Sequence, residues 1–520
     1  MSAETSSGGM KKTLGLTGVT VNAMALIAPG AFLWITYQLQ AANVDVNGVS
    51  TAGDMWTGIV VALIVAFLTA FAFAELAHRY PNAGTGSAYY FAEKAFLDRE
   101  EPSHRRWARL FKFITGWAAH LFYWVYPGVM VAFMATLVTY ILGQFGVTVE
   151  VPGQIAVAIV FSAIVGAIAW RGISGSTNVA IAINIIQLVT LVIFSVLAIA
   201  FRNGNPLNVP TDGWYHPVAS SIILPHNFAG MIFQSTIAIL ILVGFESSTA
   251  LGAEAKDAKR DIPRAVIISL VIQGIFAYLF QYFAANYALG SWLGNDVAGK
   301  GITAAAASGA PIGDMAIQIG NTMLGGNGFA FMIVLAISVA IAILGTTLAA
   351  MNTAVRISFA MAQDNEMPEI MGLMHGKYAT PHMGIIAMVV VSAIIGAVGV
   401  IGGAVTLTGI TLASNLGTFI LYGLICSVTV VAFAGRKEFN LFRHGIIPGL
   451  GLITNIIMVG AIFIIGIASG GTTAQATYLG LGISLVWLVI SVIYFVVNSR
   501  QTGKPIIPSI ESMRTTSAGD

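Results

Sequence analysis

Charge is scarce in this chain. Only 9% of its 520 residues are Asp, Glu, Lys or Arg, whereas an ordinary soluble domain carries about a quarter. Too few ionised groups remain to cover a water-facing surface of this size, which excludes a soluble globular fold. Cysteine is nearly absent as well. Cys426 stands alone, inside an apolar run, so no intrachain disulfide framework is available and the residue reads as a small buried hydrophobe. Zinc-ligand spacing, a phosphate-cradling glycine loop and a nucleophile–base arrangement are all missing. The sequence therefore offers no cofactor site, no enzyme chemistry and no nucleic-acid surface.

What is present is apolar. Hydrophobic residues make up 57%, the mean hydropathy is +0.84, and the long runs are those of a polytopic membrane protein. About twelve runs are near the roughly 20 residues needed to cross the hydrocarbon. They lie at 14–40, 55–78, 112–144, 153–170, 176–201, 228–253, 265–290, 325–360, 383–401, 404–433, 446–468 and 476–497. The first follows Lys11-Lys12 and continues to about Leu39. It is too long for a signal-peptide core, lacks an evident cleavage site, and is expected to be a retained helix.

Lys and Arg set the orientation. Arg79, Lys94, Arg99, Arg105, Arg106, Arg109 and Lys112 fall between spans two and three; Lys256, Lys259, Arg260 and Arg264 follow span six; Arg436, Lys437 and Arg443 follow span ten. The alternate loops hold only Arg202 and Lys300. The positive-inside rule then puts both termini in the cytoplasm of an inner-membrane or plasma-membrane protein. Spans one to five and six to ten have opposite orientation, because five is odd. The expected organisation is a cytoplasmic tail (1–13), a first repeat (14–201), an inverted second repeat (202–433), two further helices (434–498) and a cytoplasmic tail (499–520).

Two spans in corresponding places carry helix breakers or charge. Span one contains Ala28-Pro29-Gly30-Ala31 and span six contains Gly244-Phe245-Glu246-Ser247. Proline removes a backbone donor and glycine weakens a helix. Unwound backbone at bilayer depth is tolerated only where it is buried in protein or lines a cavity, and paired breaks of this kind mark the substrate site of a secondary transporter. Half-helix ends offer free N–H groups and free carbonyls, which suits a substrate with one anionic and one cationic end.

Glu246 is the sharpest single residue, since a mid-span carboxylate costs about 2.5–3.5 kcal/mol to insert. It can bind a substrate ammonium, relay a proton, or cap backbone amides. Phe245 beside it suits a gate or a cation platform, and equally an ordinary packing aromatic. In span three Trp117, His120 and Trp124 share one helical face, which either lines a cavity or packs in the bundle. His120 can titrate near neutrality or serve as a satisfied hydrogen-bond partner. Asn184, Gln187, Asn352 and Asn415 fit interhelical hydrogen bonding. Thr346 and Thr347 offer adjacent hydroxyls that could bind sodium, and ordinary packing accounts for them too. The cytoplasmic basic residues can also attract anionic lipid headgroups.

Three motifs carry a family resemblance. GFESSTALGAEAKDAKRDIPRAV (Gly244 to Val266) resembles the sixth-span signature of the amino acid–polyamine–organocation (APC) permeases. YPNAGTGSAYYFAEKAF (Tyr80 to Phe96) is similar to that family's motif after span two, and FAMAQDNEMPEIM (Phe359 to Met371) with Thr380-Pro381-His382 to its motif after span eight. The resemblance implies an all-α, LeuT-like fold of about twelve helices, a five-plus-five inverted repeat with helices one and six broken, and two extra C-terminal helices. It implies alternating access without ATP, an aromatic gate near Phe245, and transport of amino acids or polyamines by proton symport or exchange. Carried onto this chain, the backbone of Ala28 to Ala31 would receive the carboxylate, and carbonyls around Gly244, with Glu246 nearby, the amine.

Two departures stand out. Many relatives have a Gly-Ser-Gly type break in span one, where this chain has Ala-Pro-Gly. Some proton-coupled relatives carry a lysine in span five, and Gln187 stands in its place here. A neutral amide supplies no charge for a proton to replace, which leaves exchange, protonation of Glu246 or His120, or sodium. The expected function is an amino acid permease, with a polyamine or organic-amine permease as the alternative and a channel-like or sensor protein of the same fold further off. Expected partners are the small-molecule substrate, the bilayer, a proton or sodium ion, and a homo-oligomeric mate.

Overall fold

A backbone crossing lipid must satisfy its own N–H and C=O groups, and a long apolar run does so by coiling into a helix. The computed structural model describes residues 12–510 apart from 28, 46, 82, 84–85, 100, 173–176, 253, 297–298 and 379, with the side chains of 29–33, 177–179 and 276–277 also outside the description. Among the described residues, ten helices are long and apolar enough to cross a membrane. One of them, His382–Phe433, breaks at Gly403 (φ 62°, ψ −155°) into spans nine and ten. The pair Leu16–Ile27 and Pro29–Ala41 makes up span one and completes twelve.

Spans two to five are Met55–Arg79, Ala108–Gln144, Val151–Trp170 and Thr177–Gly204. Span six begins as Phe228–Ala238. Span seven runs as Ala258–Leu270, a wider-wound Val271–Leu279, and Phe280–Ala288. Gly328–Gln363, Ile447–Ala468 and Gly471–Thr502 are spans eight, eleven and twelve. The helices overrun several apolar runs. Span three starts at Ala108 instead of 112, span seven at Ala258 instead of 265, and span twelve covers 471–502 instead of 476–497. Hydropathy marks what sits in hydrocarbon, whereas backbone hydrogen bonding continues into charged turns beyond it. Span eight instead starts late, at Gly328, because Gly325 and Gly326 (φ 60° and 92°) form a turn ahead of it, and it runs on to Gln363.

The basic loops meet at one end of the bundle. Arg79 pairs with Asp98 (3.1 Å) and Glu438 (2.8 Å), Arg109 with Glu366 (2.6 Å), and Lys112 with both Glu93 (2.7 Å) and Asp364 (2.6 Å). The stretch before span one joins in. The N–H groups of Thr13 and Leu14 both donate to the Glu254 carbonyl at 3.0 Å, and the Lys256 N–H donates to the Leu14 carbonyl at 2.8 Å. Arg356 of span eight closes on the Glu254 carboxylate at 2.7 Å.

At the other end, buried Asp54 accepts the backbone N–H groups of His226 (2.7 Å) and Asn227 (3.0 Å), fixing the chain as it enters span six. The helix Pro311–Met323 packs on span eight and reaches the end of span three. Tyr140 donates to the Asp314 carboxylate at 2.8 Å and Ser308 donates to it as well. Gly313 is required there: a Cβ would stand 2.6 Å from the Trp34 ring and 2.7 Å from the Tyr140 hydroxyl.

His216, in the loop before span six, is buried. Burial, followed by neighbouring His226 and Arg202, pushes its imidazole down to about 4. The unfolded ring binds a proton near 6.5, so between about pH 6.5 and 4 the unfolded chain holds more protons than the folded one. Stability conferred by this group is therefore full above 6.5 and is lost as pH falls through that window. His216→Gln is expected to flatten the drop in melting temperature between pH 6.5 and 4, read by thermal unfolding in detergent.

Candidate substrate site

Span one is built to end early. Pro29 has no N–H to return to the Ala25 carbonyl one turn before it. That carbonyl instead accepts the Thr346 hydroxyl of span eight at 3.0 Å. Its neighbours are served in the same way. The Ile27 carbonyl takes the Tyr278 hydroxyl at 2.6 Å, the Leu26 carbonyl the Tyr126 hydroxyl at 3.5 Å, and the Met24 carbonyl the Gln273 amide at 3.4 Å. The last four carbonyls of a helix have no partner within it, and here side chains from spans three, seven and eight reach all four. Ala28 lies outside the described residues. Helix resumes at Pro29, with Gly30 and Ala31 in its first turn. Proline is preorganised for that first position. The side chains of these three lie outside the description.

Span six unwinds opposite this point. After Ala238 the helix tightens to three residues per turn over Ile239–Ile241, and again over Phe245–Leu251. Gly244 between them takes φ +125°. The hydroxyls of Ser247, Ser248 and Thr249 each donate to the carbonyl three residues back, at 2.6, 2.7 and 2.6 Å, satisfying backbone that the tight winding leaves short of partners. A Cβ at Gly244 would come within 3.0 Å of Leu26 and 3.1 Å of Ile27. The two breaks are therefore in contact.

Glu246 sits at that junction, 2% exposed. Tyr123 of span three donates to one carboxylate oxygen at 2.8 Å; Tyr422 of span ten and the Gly244 N–H donate to the other at 2.9 and 3.0 Å. Among the described residues no basic side chain forms an ion pair with it, and an ionised carboxylate has about four acceptor positions. Phe245 is fully buried between the rings of Phe73 and Tyr422, at 6.2 and 5.5 Å between centroids. The result is a carboxyl group in an aromatic box, beside the carbonyl end of one half-helix and near the N-terminal end of another.

Other sequence candidates lie elsewhere. His120 is hydrogen-bonded to the Gly116 carbonyl (2.7 Å) and the Ser358 hydroxyl (2.9 Å), and the Trp124 indole donates to the same hydroxyl at 3.2 Å. Trp117 and Trp124 lie against Trp487 of span twelve, at 5.2 and 6.1 Å. None of the bonds described for His120 or Trp124 reaches Glu246: that face of span three turns toward spans eight and twelve. Thr347 donates to Ile343 within its own helix at 2.6 Å. Gln187 is buried with its amide oxygen unpartnered, while Asn184 accepts from Gln273 at 3.2 Å and Asn415 donates to the Thr236 carbonyl at 2.8 Å. Sequence reasoning missed Tyr123, Tyr126, Tyr278 and Tyr422. The two in span three stood in the same aromatic run as His120, one helical face away; Tyr278 and Tyr422 had no signal in their apolar surroundings.

A twelve-span helical bundle with two broken helices facing each other around a buried carboxylate defines a membrane transporter. The sequence profile of the family described as amino acid permease matches residues 12–490, and the chain belongs to that family. It is 24% identical over 508 residues to the low-affinity putrescine importer PlaP of Escherichia coli K12, covering 96% of each chain. It is 22% identical to the branched-chain amino acid permease BcaP of Bacillus subtilis, over 95% of this chain and 94% of that one. Identity to the methylthioribose transporter of Bacillus subtilis is 20%, over 87% and 88%.

Proposed function

We propose that this permease carries amino acids by alternating access, as a symporter or an exchanger, across the cell membrane. The observation that carries the reading is Glu246, buried with three donors and, among the described residues, no ion-pair partner. The substrate ammonium approaches this carboxylate and the carbonyls ending Leu16–Ile27. The substrate carboxylate takes the free N–H groups at the start of Pro29–Ala41, around Ala28 to Ala31, where the helix dipole favours an anion. Phe245 and Ser247 border the same space. The basic end faces the cytoplasm with both termini, and 14–201 and 202–433 act as inverted halves. Gln187 does not ionise, so coupling rests on Glu246, on exchange, or on sodium near Thr346 and Thr347. His120, packed away from the junction, is the weaker coupling group.

A second reading is favoured by the same carboxylate: a polyamine or other organic amine needs only the anionic half of the site. The putrescine-importing and branched-chain-permease relatives stand on either side of this choice. Purified protein in proteoliposomes separates the two. Saturable uptake and counterflow of an amino acid, uncontested by the amine lacking its carboxylate, is the expected result. Equal competition by that amine selects the second reading, and flux that never saturates overturns both in favour of a channel.

A further inference from the structure

Between spans three, ten, eleven and twelve lies an apolar groove of about 730 Å³ that the transport site does not use. Its floor is aromatic, with Phe113, Trp117 and Phe495 buried and Trp487 partly so. Phe113 stacks on Phe495 with centroids 3.7 Å apart, and the Trp487 indole donates to the Trp117 carbonyl at 3.1 Å. These rings bridge span three to span twelve and hold a slot open between them. Its outer wall is exposed, with Leu485 at 60% and Leu488 at 57%, on a helix apolar enough to cross a bilayer. The slot therefore opens toward lipid.

Its ends differ. Along span twelve it runs from Leu481 to Val496, about 22 Å at 1.5 Å per residue, somewhat more than the roughly 15 Å of one leaflet's hydrocarbon. Leu488, Val492 and Val496 line it at steps of four, and the next step on that face is Arg500. Beyond the helix, Ile506 closes the groove. It is held there because Arg109 bonds the carbonyls of Lys504 and Pro505. Arg500 and Lys504 are both exposed, and no ion pair engages either among the described residues. An apolar slot of leaflet depth thus ends at two exposed cations.

We infer that this groove is a binding site for an anionic phospholipid, with one acyl chain in the slot and its phosphate at Arg500 and Lys504. Charge complementarity selects the headgroup, and the depth and apolar lining select the chain. Occupancy would brace span twelve against span three without touching Glu246, so the site stands independently of the substrate assignment.

Trp117 and Trp487 make the inference measurable. Brominated-chain phosphatidylglycerol titrated into the full chain in detergent is expected to quench tryptophan fluorescence saturably. Brominated phosphatidylcholine should need about tenfold more, as two cations near an anionic headgroup would give. Gly482 lines the slot, and a Cβ added there would meet nothing within 4 Å, so a side chain can leave the backbone at this point; Gly482→Phe places a ring in the slot and should remove the saturable phase. The double variant Arg500→Gln/Lys504→Gln, altered only at exposed positions, should keep quenching but erase the preference for phosphatidylglycerol. Equal response to the two lipids in the unaltered protein overturns the inference. So does full saturable quenching in Gly482→Phe, or a dimer in sedimentation that Gly482→Phe dissociates, which would assign the groove to a second copy of the chain.

Discussion

Glu246→Gln lowers kcat/KM for uptake by about thirtyfold or more, the scale expected when a buried charge contact worth roughly 2–5 kcal/mol loses one partner. The substitution is nearly isosteric. The amide oxygen still accepts from Tyr422 and the Gly244 N–H, and the Tyr123 hydroxyl can turn to accept from the new NH₂. Folding should thus be little changed, and the loss falls on the substrate's ammonium. Glu246→Ala is the contrast. It strands two tyrosine hydroxyls and one backbone N–H in a buried site, at about 1–3 kcal/mol for each group left unsatisfied, so it should lower the melting temperature as well as uptake. Initial rates in proteoliposomes, paired with thermal unfolding, distinguish the two. Wild-type uptake in Glu246→Gln would reduce the carboxylate to a cap for the unwound segment.

Gly244→Ala is expected to leave less than about a tenth of wild-type transport. A backbone at φ +125° is nearly closed to residues with a side chain, and holding one there costs on the order of 1–3 kcal/mol. The new methyl would also press on Leu26 at 3.0 Å and Ile27 at 3.1 Å, forcing apart the two breaks whose contact forms the site. Gly345→Ala supplies the control. It lies in span eight, where an added Cβ meets nothing within 4 Å, and replacing a helical glycine by alanine is favourable by about 0.5–1 kcal/mol. Uptake should survive in the control and fail in Gly244→Ala. Equal activity in the two would show that the junction tolerates a wider spacing.

The spans were legible because lipid imposes one rule on every crossing segment. The ends of spans three, seven and twelve were not, since a helix stops where its hydrogen bonding stops. Gly244 and Glu246 announced the second break through residue types that a plain span avoids. Pro29 announced the first, and the Ala25 carbonyl turned to Thr346 is the expected mark of a missing N–H. The tyrosines around Glu246 stayed hidden for a different reason. In an all-apolar environment helical periodicity does not say which stripe of span three faces the protein's axis, so the stripe singled out was that of Trp117, His120 and Trp124, not that of Tyr123 and Tyr126. Only packing chooses between them.

The backbone pairing of Leu14 with Glu254 and Lys256 has a mechanical consequence. Leu16–Ile27 and Phe245–Leu251 are joined by that pairing at one extremity and by Gly244 seated on Leu26 and Ile27 at the other. Two short rods pinned at both ends form a single lever, and neither can swing without carrying the other. Arg356, clasping Glu254, and Thr346, donating to the Ala25 carbonyl, then tie that lever to span eight at both extremities, so the three move as one body while both contacts hold.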